Sequence, residues 1–239
     1  MEANVIAPWK ARNGLLETLS QEECDRLRDS LQVVELPLGK VLYEAHAPHP
    51  CMYFLRTAVV SLMYASENGS STEIAMVGRE GLVGTGVLAG CQSTPCSAVV
   101  QCAGEALALR PDVADREFRK GGQFQYMAVR YMHVLLAQMA QTAVCNRHHS
   151  VEKQLCRWLL LANDRLGTDE MQLTQEAIAT RLGVRREGVT EAARRLQELG
   201  LIRYARGRIR IEDRDALERQ SCECYAVVRR EYDRLLPPV

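Results

Sequence analysis

Residues 184–195, VRREGVTEAARR, place four arginines (Arg185, Arg186, Arg194, Arg195) beside two glutamates, Glu187 and Glu191. A guanidinium is a planar fork of donors that fits phosphate oxygens or the acceptor edge of guanine. A carboxylate fits neither, but it accepts from an amino group such as cytosine N4. At ~100° per residue, Val189, Ala192, Ala193, Leu196 and Leu199 fall on one side of a helix. Glu187, Thr190, Glu191 and Arg194 lie opposite, with Arg186 at the edge. Acids in the middle of such a face suit the reading of base edges, with phosphates left to Arg185 and to the amides of the helix N-terminus. Glu191 has a second use, an ion pair with Arg194 at i+3 or Arg195 at i+4; Glu187 has no cation at i+4.

The neighbouring elements must hold that face. TQEAIATRL offers Thr174 as an N-cap and Ile178 and Leu182 on one face. Gly183 permits a tight turn, and the next helix is expected over 185–199, which makes a helix-turn-helix. LIRYARGRIRI then predicts a hairpin turning at Arg206-Gly207. Ile202, Tyr204, Ile209 and Ile211 alternate with Arg203, Arg208 and Arg210, so one face is apolar and the other basic. No acid lies between Leu201 and Ile211, and Arg203, Arg206 and Arg208 are candidate phosphate contacts on a winged helix. Thr174–Glu212 holds nine arginines and five glutamates, a net +4 in a chain of net charge +0, so the remainder carries −4. That asymmetry fits a polyanionic partner at one end, here duplex DNA.

Upstream, SQEECDRLRDSL predicts a helix over 20–31. Short β-rich runs from about 32 to 110, punctuated by Pro37-Leu-Gly39, Asn68-Gly69, Gly78, Gly81 and Gly90, predict a sandwich or barrel. Residues 112–147 are expected to be helical. Val129, Met132, Leu136, Met139 and Ala143 follow the 3-4-3-4 spacing of a coiled-coil seam, and Phe124, Ala128, Tyr131 and Leu135 form a second apolar row. Two rows suit a helix with its own domain on one side and a second copy of itself on the other. His148-His149-Ser150 is expected to break the helix, with the histidines at a hinge and not on a metal, and Ser150 caps a helix ending at Gly167.

Nine cysteines are scattered without a CxxC pair, which suits reduced, buried thiols in a cytoplasmic protein. No apolar run approaches the ~18–20 residues that cross a membrane, and MEANVIAPWKARNG lacks the core of an export signal.

Over nearly its whole length the chain resembles the Crp/Fnr family of bacterial transcription regulators. The likeness lies in VLYEAHAPHPCMYFLRTAVVSLMY, EIAMVGREGLVG, the long helix at 121–147 and LTQEAIATRLGVRREGVTEAARRLQELGLIRYARGRIRI, with Arg186-Glu187 in the recognition-helix position. The resemblance implies an α+β chain: a double-stranded β-helix of the cyclic-nucleotide-binding type (1–118), a dimerisation helix (119–149) and a winged helix-turn-helix (150–239). It implies a homodimer on near-palindromic double-stranded DNA, with RNA polymerase as a further partner and with no catalysis or cofactor. The cyclic-nucleotide cassette departs from the family: Thr85 stands for its glutamate and Cys96, before Ser97, for its arginine. The adenine contacts on the long helix fall on Met139 and Ala140, and His46 and Ala58 replace turn glycines. Without that arginine a buried cyclic phosphate is an unpaired charge, so the effector pocket reads as degenerate or altered. The iron–sulfur branch would need an N-terminal cysteine cluster, where only Cys24 stands, and no histidine can be assigned to a haem.

Three other readings stay open. One is a cyclic-nucleotide or other small-molecule-binding signalling module. A second is a regulator sensing thiol oxidation through Cys91, Cys96 and Cys102. The third is a cupin-like metalloenzyme using His46 and His49.

Overall fold

The structure is a computed structural model and describes residues 12–67 and 69–237. Most of the N-terminal MEANVIAPWKARNG segment, and Asn68 of the expected Asn68-Gly69 turn, lie outside the described residues. The chain forms two compact units, Met1–Leu62 with Val77–Leu135 and Tyr232–Val239, and Met63–Met76 with Leu136–Glu231.

The first unit begins with helices α1 (Gly14–Glu17) and α2 (Gln21–Leu27). The Ser20 hydroxyl accepts from Glu23 N while the Glu23 carboxylate accepts from Ser20 N at 3.0 Å, a reciprocal capping box. The helix expected to reach residue 31 stops at Leu27, and a 3-10 turn (Arg28–Ser30) follows. Strand β1 (Leu31–Leu36) takes over because Leu31 pairs with Leu109 and Val33 with Leu107. The ladder satisfies backbone groups that a further helical turn would leave without partners.

Strands β2 (Val41–Tyr43), β3 (Met52–Leu55), β4 (Val59–Ala65), β5 (Ser71–Val77), β6 (Leu82–Val83), β7 (Ser97–Cys102) and β8 (Gly104–Leu109) follow. One antiparallel sheet is ordered β1-β8-β3-β6, and in the other β2, β7 and β4 are neighbours. Met52, Phe54, Leu107 and Leu109 share one face of the first sheet and are buried in a jelly-roll-like core. Strand β4 runs on into the second unit, where its end and β5 form a hairpin. His46 adopts φ +64°, the left-handed conformation that glycine serves at such a turn.

The helix expected over 112–147 is two: α3 (Pro111–Arg119) and α4 (Gly122–His148). Gly121 and Gly122, at φ +81° and +84°, make the break. A Cβ on Gly122 would lie 2.7 Å from Glu23 Oε1, the atom that accepts from Phe124 N at 2.9 Å. Glu23 thus caps α4 as well as α2, and only glycine fits beside it. Along α4 the row Phe124, Ala128, Tyr131 and Leu135 is buried. The other row is not covered: Val129 is 50% exposed and Leu136 63%, Ala143 is exposed, and Met132 and Met139 are half-buried.

The second unit contains the β4–β5 hairpin, the end of α4, and α5 (Val151–Leu166). Ser150 caps α5 by accepting from Lys153 N, and Gly167 closes it in the left-handed conformation, as expected. Then come β9 (Glu170–Gln172), α6 (Gln175–Leu182), α7 (Arg186–Glu198), β10 (Ile202–Ala205), β11 (Arg208–Ile211), α8 (Arg214–Gln220) and α9 (Glu223–Leu235). No helix among the described residues is long and apolar enough to cross a membrane.

Candidate nucleic-acid interface

Helix α6 starts where Thr174 Oγ1 accepts from Ala177 N at 3.1 Å, and it ends at Gly183, φ +65°. Ile178, Ala179 and Leu182 are buried. Two residues on, Arg185 takes the N-cap position of α7 without a side-chain cap bond, and Val189, Ala192, Ala193 and Leu196 of α7 are buried as the spacing predicts. Leu199 is the exception. It is the C-cap, 59% exposed, at the edge of the apolar face, and the chain turns away directly after it at Gly200.

The wing forms as expected and gains a strand. Ile202 pairs with Ile211 and Tyr204 with Ile209 around a turn in which Arg206 and Gly207 both have positive φ, the hairpin-favoured handedness. Strand β9 pairs with the other side of β11, Met171 facing Ile209. The Tyr204 hydroxyl donates to Leu173 O at 3.0 Å, and Tyr204 N donates to Gln197 Oε1 at 2.8 Å, so the wing is tied to the helix-turn-helix.

The hairpin at Met63–Met76 is bonded to α6, to α5 and to the end of α4. Thr72 Oγ1 donates to Arg181 O at 3.1 Å, and Trp158 Nε1 donates to the buried Glu73 carboxylate at 2.9 Å. Met76 O accepts from Arg165 Nε at 3.0 Å and from Gln138 Nε2 at 3.2 Å.

Arg185, Arg186, Glu187, Thr190, Glu191 and Arg194 are all exposed on one end and face of α7. Their charges are not equally available. Among the described residues Arg185, Arg186 and Glu187 have no ion-pair partner. Glu191 grips the Nε–Nη2 edge of Arg194, at 3.3 and 2.9 Å, and also accepts from Arg195 Nε at 3.1 Å. Arg194 Nη1 is bonded to Glu198 as well. Hydrogen bonds from Arg194 and then Arg195 hold the Glu191 carboxyl below the usual carboxylate range. Both i+3 and i+4 pairings anticipated for Glu191 are therefore made. Thr190 Oγ1 has two acceptors for its single proton, Gln175 Oε1 at 2.8 Å and Arg186 O at 3.1 Å. Gln175, the first residue of α6, escaped the sequence reading because nothing local ties it to Thr190, fifteen residues on.

On the wing, Arg203 meets Glu212 at 3.1 Å and Arg208 meets Glu170 at 3.3 Å. The acid-free hairpin is thus partly neutralised from its flanks. Arg206 and Arg210 have no ion-pair partner among the described residues.

The sensor-side candidates lie apart in the sequence and are packed differently. Thr85, half-buried, starts a 3-10 turn (Thr85–Ala89); Cys96 is buried and Ser97, half-buried, opens β7. Thr94 Oγ1 is 3.6 Å from Cys96 Sγ, and the buried Tyr43 and His49 rings meet edge to face at 4.3 Å. A Cβ on Gly86 would meet Thr94 Cγ2 at 2.9 Å and His49 Nε2 at 3.1 Å. On α4, Met139 is half-buried and Ala140 exposed.

Residues 153–220 match the family model of a Crp-like helix-turn-helix domain. No curated protein matches the chain at a significant level. Among solved structures, the fold matches a protein of Eubacterium rectale assigned as a transcriptional regulator of the Crp/Fnr family, at 17% identity and TM-score 0.69, covering 86% of this chain and 96% of that one. It matches FixK2 of Bradyrhizobium japonicum at 15% identity and TM-score 0.69, over 80% and 98% of the two chains. A CRP-family transcriptional regulator of Thermus thermophilus matches at 19% identity and TM-score 0.65, over 79% and 96%. The chain thus carries a Crp-like helix-turn-helix domain on the fold of the Crp/Fnr-family transcription regulators.

Proposed function

We propose that this protein is a homodimeric, sequence-specific DNA-binding transcription regulator whose effector pocket no longer accepts cyclic AMP. The observation that carries the reading is the exposed end of α7. It offers a pair of arginines and a glutamate without ion-pair partners among the described residues, beside a wing tip with Arg206. Arg186 reads a guanine and Glu187 a cytosine in the major groove. Arg185, Arg203, Arg206 and Arg208 meet phosphates, with Arg203 and Arg208 leaving Glu212 and Glu170 to do so. Thr190 is aimed by Gln175, and Arg194 is restrained by Glu191.

The uncovered row Val129, Met132, Leu136, Met139 and Ala143 supports dimerisation along α4, since a stripe of that length is costly to leave in water. Half-sites then lie about one DNA turn, ~34 Å, apart. Cys96 and Thr85 offer no cation to a cyclic phosphate, and Tyr43, His49 and Thr94 crowd the Cys96 side of the cassette. Recruitment of RNA polymerase follows from this reading as its output.

Selection of bound duplexes from a random pool tests the reading. The wild type returns a near-palindromic consensus, and contact with about six phosphates per dimer gives a slope of log K against log salt of roughly −5. Glu187→Ala relaxes one position of each half-site by about 1–3 kcal/mol, while affinity for random DNA holds or rises. Arg186→Ala relaxes another position without that rise. If both variants return the wild-type consensus, α7 is not the reading element.

A further inference from the structure

Cys145 and His149 stand four residues apart on the last turn of α4 and its exit, so their side chains project on one side. Cys222 and Cys224 flank the first residue of α9. The fold brings the two pairs together from 77 residues apart: Cys145 Sγ is 3.6 Å from Cys222 Sγ, and Cys224 Sγ is 3.4 Å from His149 Nδ1. All four donor atoms lie within 4.8 Å of one another. The three cysteines are buried and His149 is half-buried.

We propose that Cys145, His149, Cys222 and Cys224 form a structural zinc site. With Zn–S near 2.3 Å and Zn–N near 2.0–2.1 Å, a tetrahedron has S···S edges of ~3.8 Å and S···N edges of ~3.5 Å. The two short separations are already close to those lengths, and the others need to close by no more than ~1 Å between sulfurs and ~1.3 Å between sulfur and nitrogen to reach them. Thiolate and imidazole donors in a closed four-ligand set select zinc over the hard, oxygen-seeking cations.

The surroundings are those of a ligand set and not of four packed side chains. His149 Nε2 lies 3.3 Å from Glu223 Oε1, which leaves Nδ1 to face the thiols. A carboxylate on the far nitrogen fixes the ring and makes it a better ligand. Gln141 Nε2 lies 3.1 Å from Cys224 Sγ and can donate to it, a hydrogen bond that a thiolate accepts better than a thiol. Arg157 is buried, has no carboxylate partner among the described residues, and its charge acts on Cys145. Three thiolates around one dication leave a net −1, and Arg157 offsets it. Binding releases the three thiol protons to solvent and changes no oxidation state.

The test uses the full chain, purified without chelators or a histidine tag. Elemental analysis should find about one zinc per chain. The zinc-stripped chain should take up Co(II) with the intense visible bands of tetrahedral thiolate coordination. Cys222→Ser with Cys224→Ser, and separately His149→Ala, should lower zinc content several-fold, while Cys91→Ser, at an exposed thiol, should not. If the double variant fails to fold, the Co(II) spectrum of the wild-type chain decides. A wild-type chain that takes up no zinc, Co(II) bands lacking thiolate character, or a Cys145–Cys222 disulfide in anaerobically isolated protein overturns the proposal. None of these measurements involves DNA, so they stand or fall apart from the DNA-binding reading.

Discussion

Glu191→Gln should turn a restrained recognition face into a more adhesive one. In the free protein Glu191 occupies the Nε–Nη2 edge of Arg194, the edge that a phosphate or a guanine would need, and it also holds Arg195. Glutamine cannot return that charge-assisted fork. Glu198 still holds the far nitrogen, Nη1, so the side chain stays extended over the face with its fork free. If each freed Arg194 gains one phosphate, the dimer gains two. At about 0.9 per phosphate the salt slope steepens by roughly 1.8, and the affinity lost between 50 and 200 mM salt grows by about 12-fold. Stability should scarcely move, because exposed pairs of this kind contribute little. Fluorescence anisotropy on the selected duplex and on a scrambled one, across that salt range, reads the effect. The gain should be at least as large on scrambled DNA, since a phosphate contact carries no sequence information. An unchanged slope with an unchanged consensus would mean that Arg194 does not reach DNA and that Glu191 serves the helix alone.

The dimer reading predicts that Leu136→Asp with Met139→Asp yields monomers by light scattering at micromolar concentration; a wild-type monomer there would refute it. Calorimetry should detect no cyclic AMP or cyclic GMP binding at micromolar ligand, and a micromolar dissociation constant would restore the effector site. Glu73→Ala leaves the buried Trp158 N–H without its acceptor and should cost about 1–3 kcal/mol in denaturant unfolding; no change would mean that water replaces the carboxylate. Burial holds the His49 pKa below its ordinary value of about 6.5, and neither ring nitrogen has a hydrogen-bond partner among the described residues. The unfolded chain therefore binds the proton first, and stability falls as pH drops below about 6.5 through the folded pKa. His49→Phe should flatten that slope, and an equally steep variant curve would exclude His49 as its source.

What could be read from the sequence was what is local. Thr174, Gly183, the buried side of α7 and the alternation of the wing each depend on residues within a turn or a strand of one another. The i+3 and i+4 pairs of Glu191 are local too, so their geometry could be anticipated. Leu199 was misplaced because a periodic rule continues past the residue where the helix stops. The α3–α4 break turns on Glu23, about a hundred residues from Gly122, and two adjacent glycines alone do not mark a helix start. Strand β9 is three residues long, and β11 supplies its register. His149 read as a hinge residue because its three thiol neighbours become visible only after α9 has folded back against the end of α4.

The hairpin at Met63–Met76 has a consequence for how such a protein can be divided. Glu73 and Trp158 meet across 85 residues of chain, and Thr72 and Arg181 across 109. A fragment starting at Ser150 would keep every helix of the helix-turn-helix domain yet leave the buried Trp158 N–H and the Arg165 Nε–H without their acceptors at Glu73 and Met76. Chimeras spliced at the end of α4 would meet the same difficulty unless the hairpin travelled with the graft. Positions 72–76 should therefore drift together with 158, 165 and 181 over evolution, as one inherited unit that the order of residues along the chain conceals.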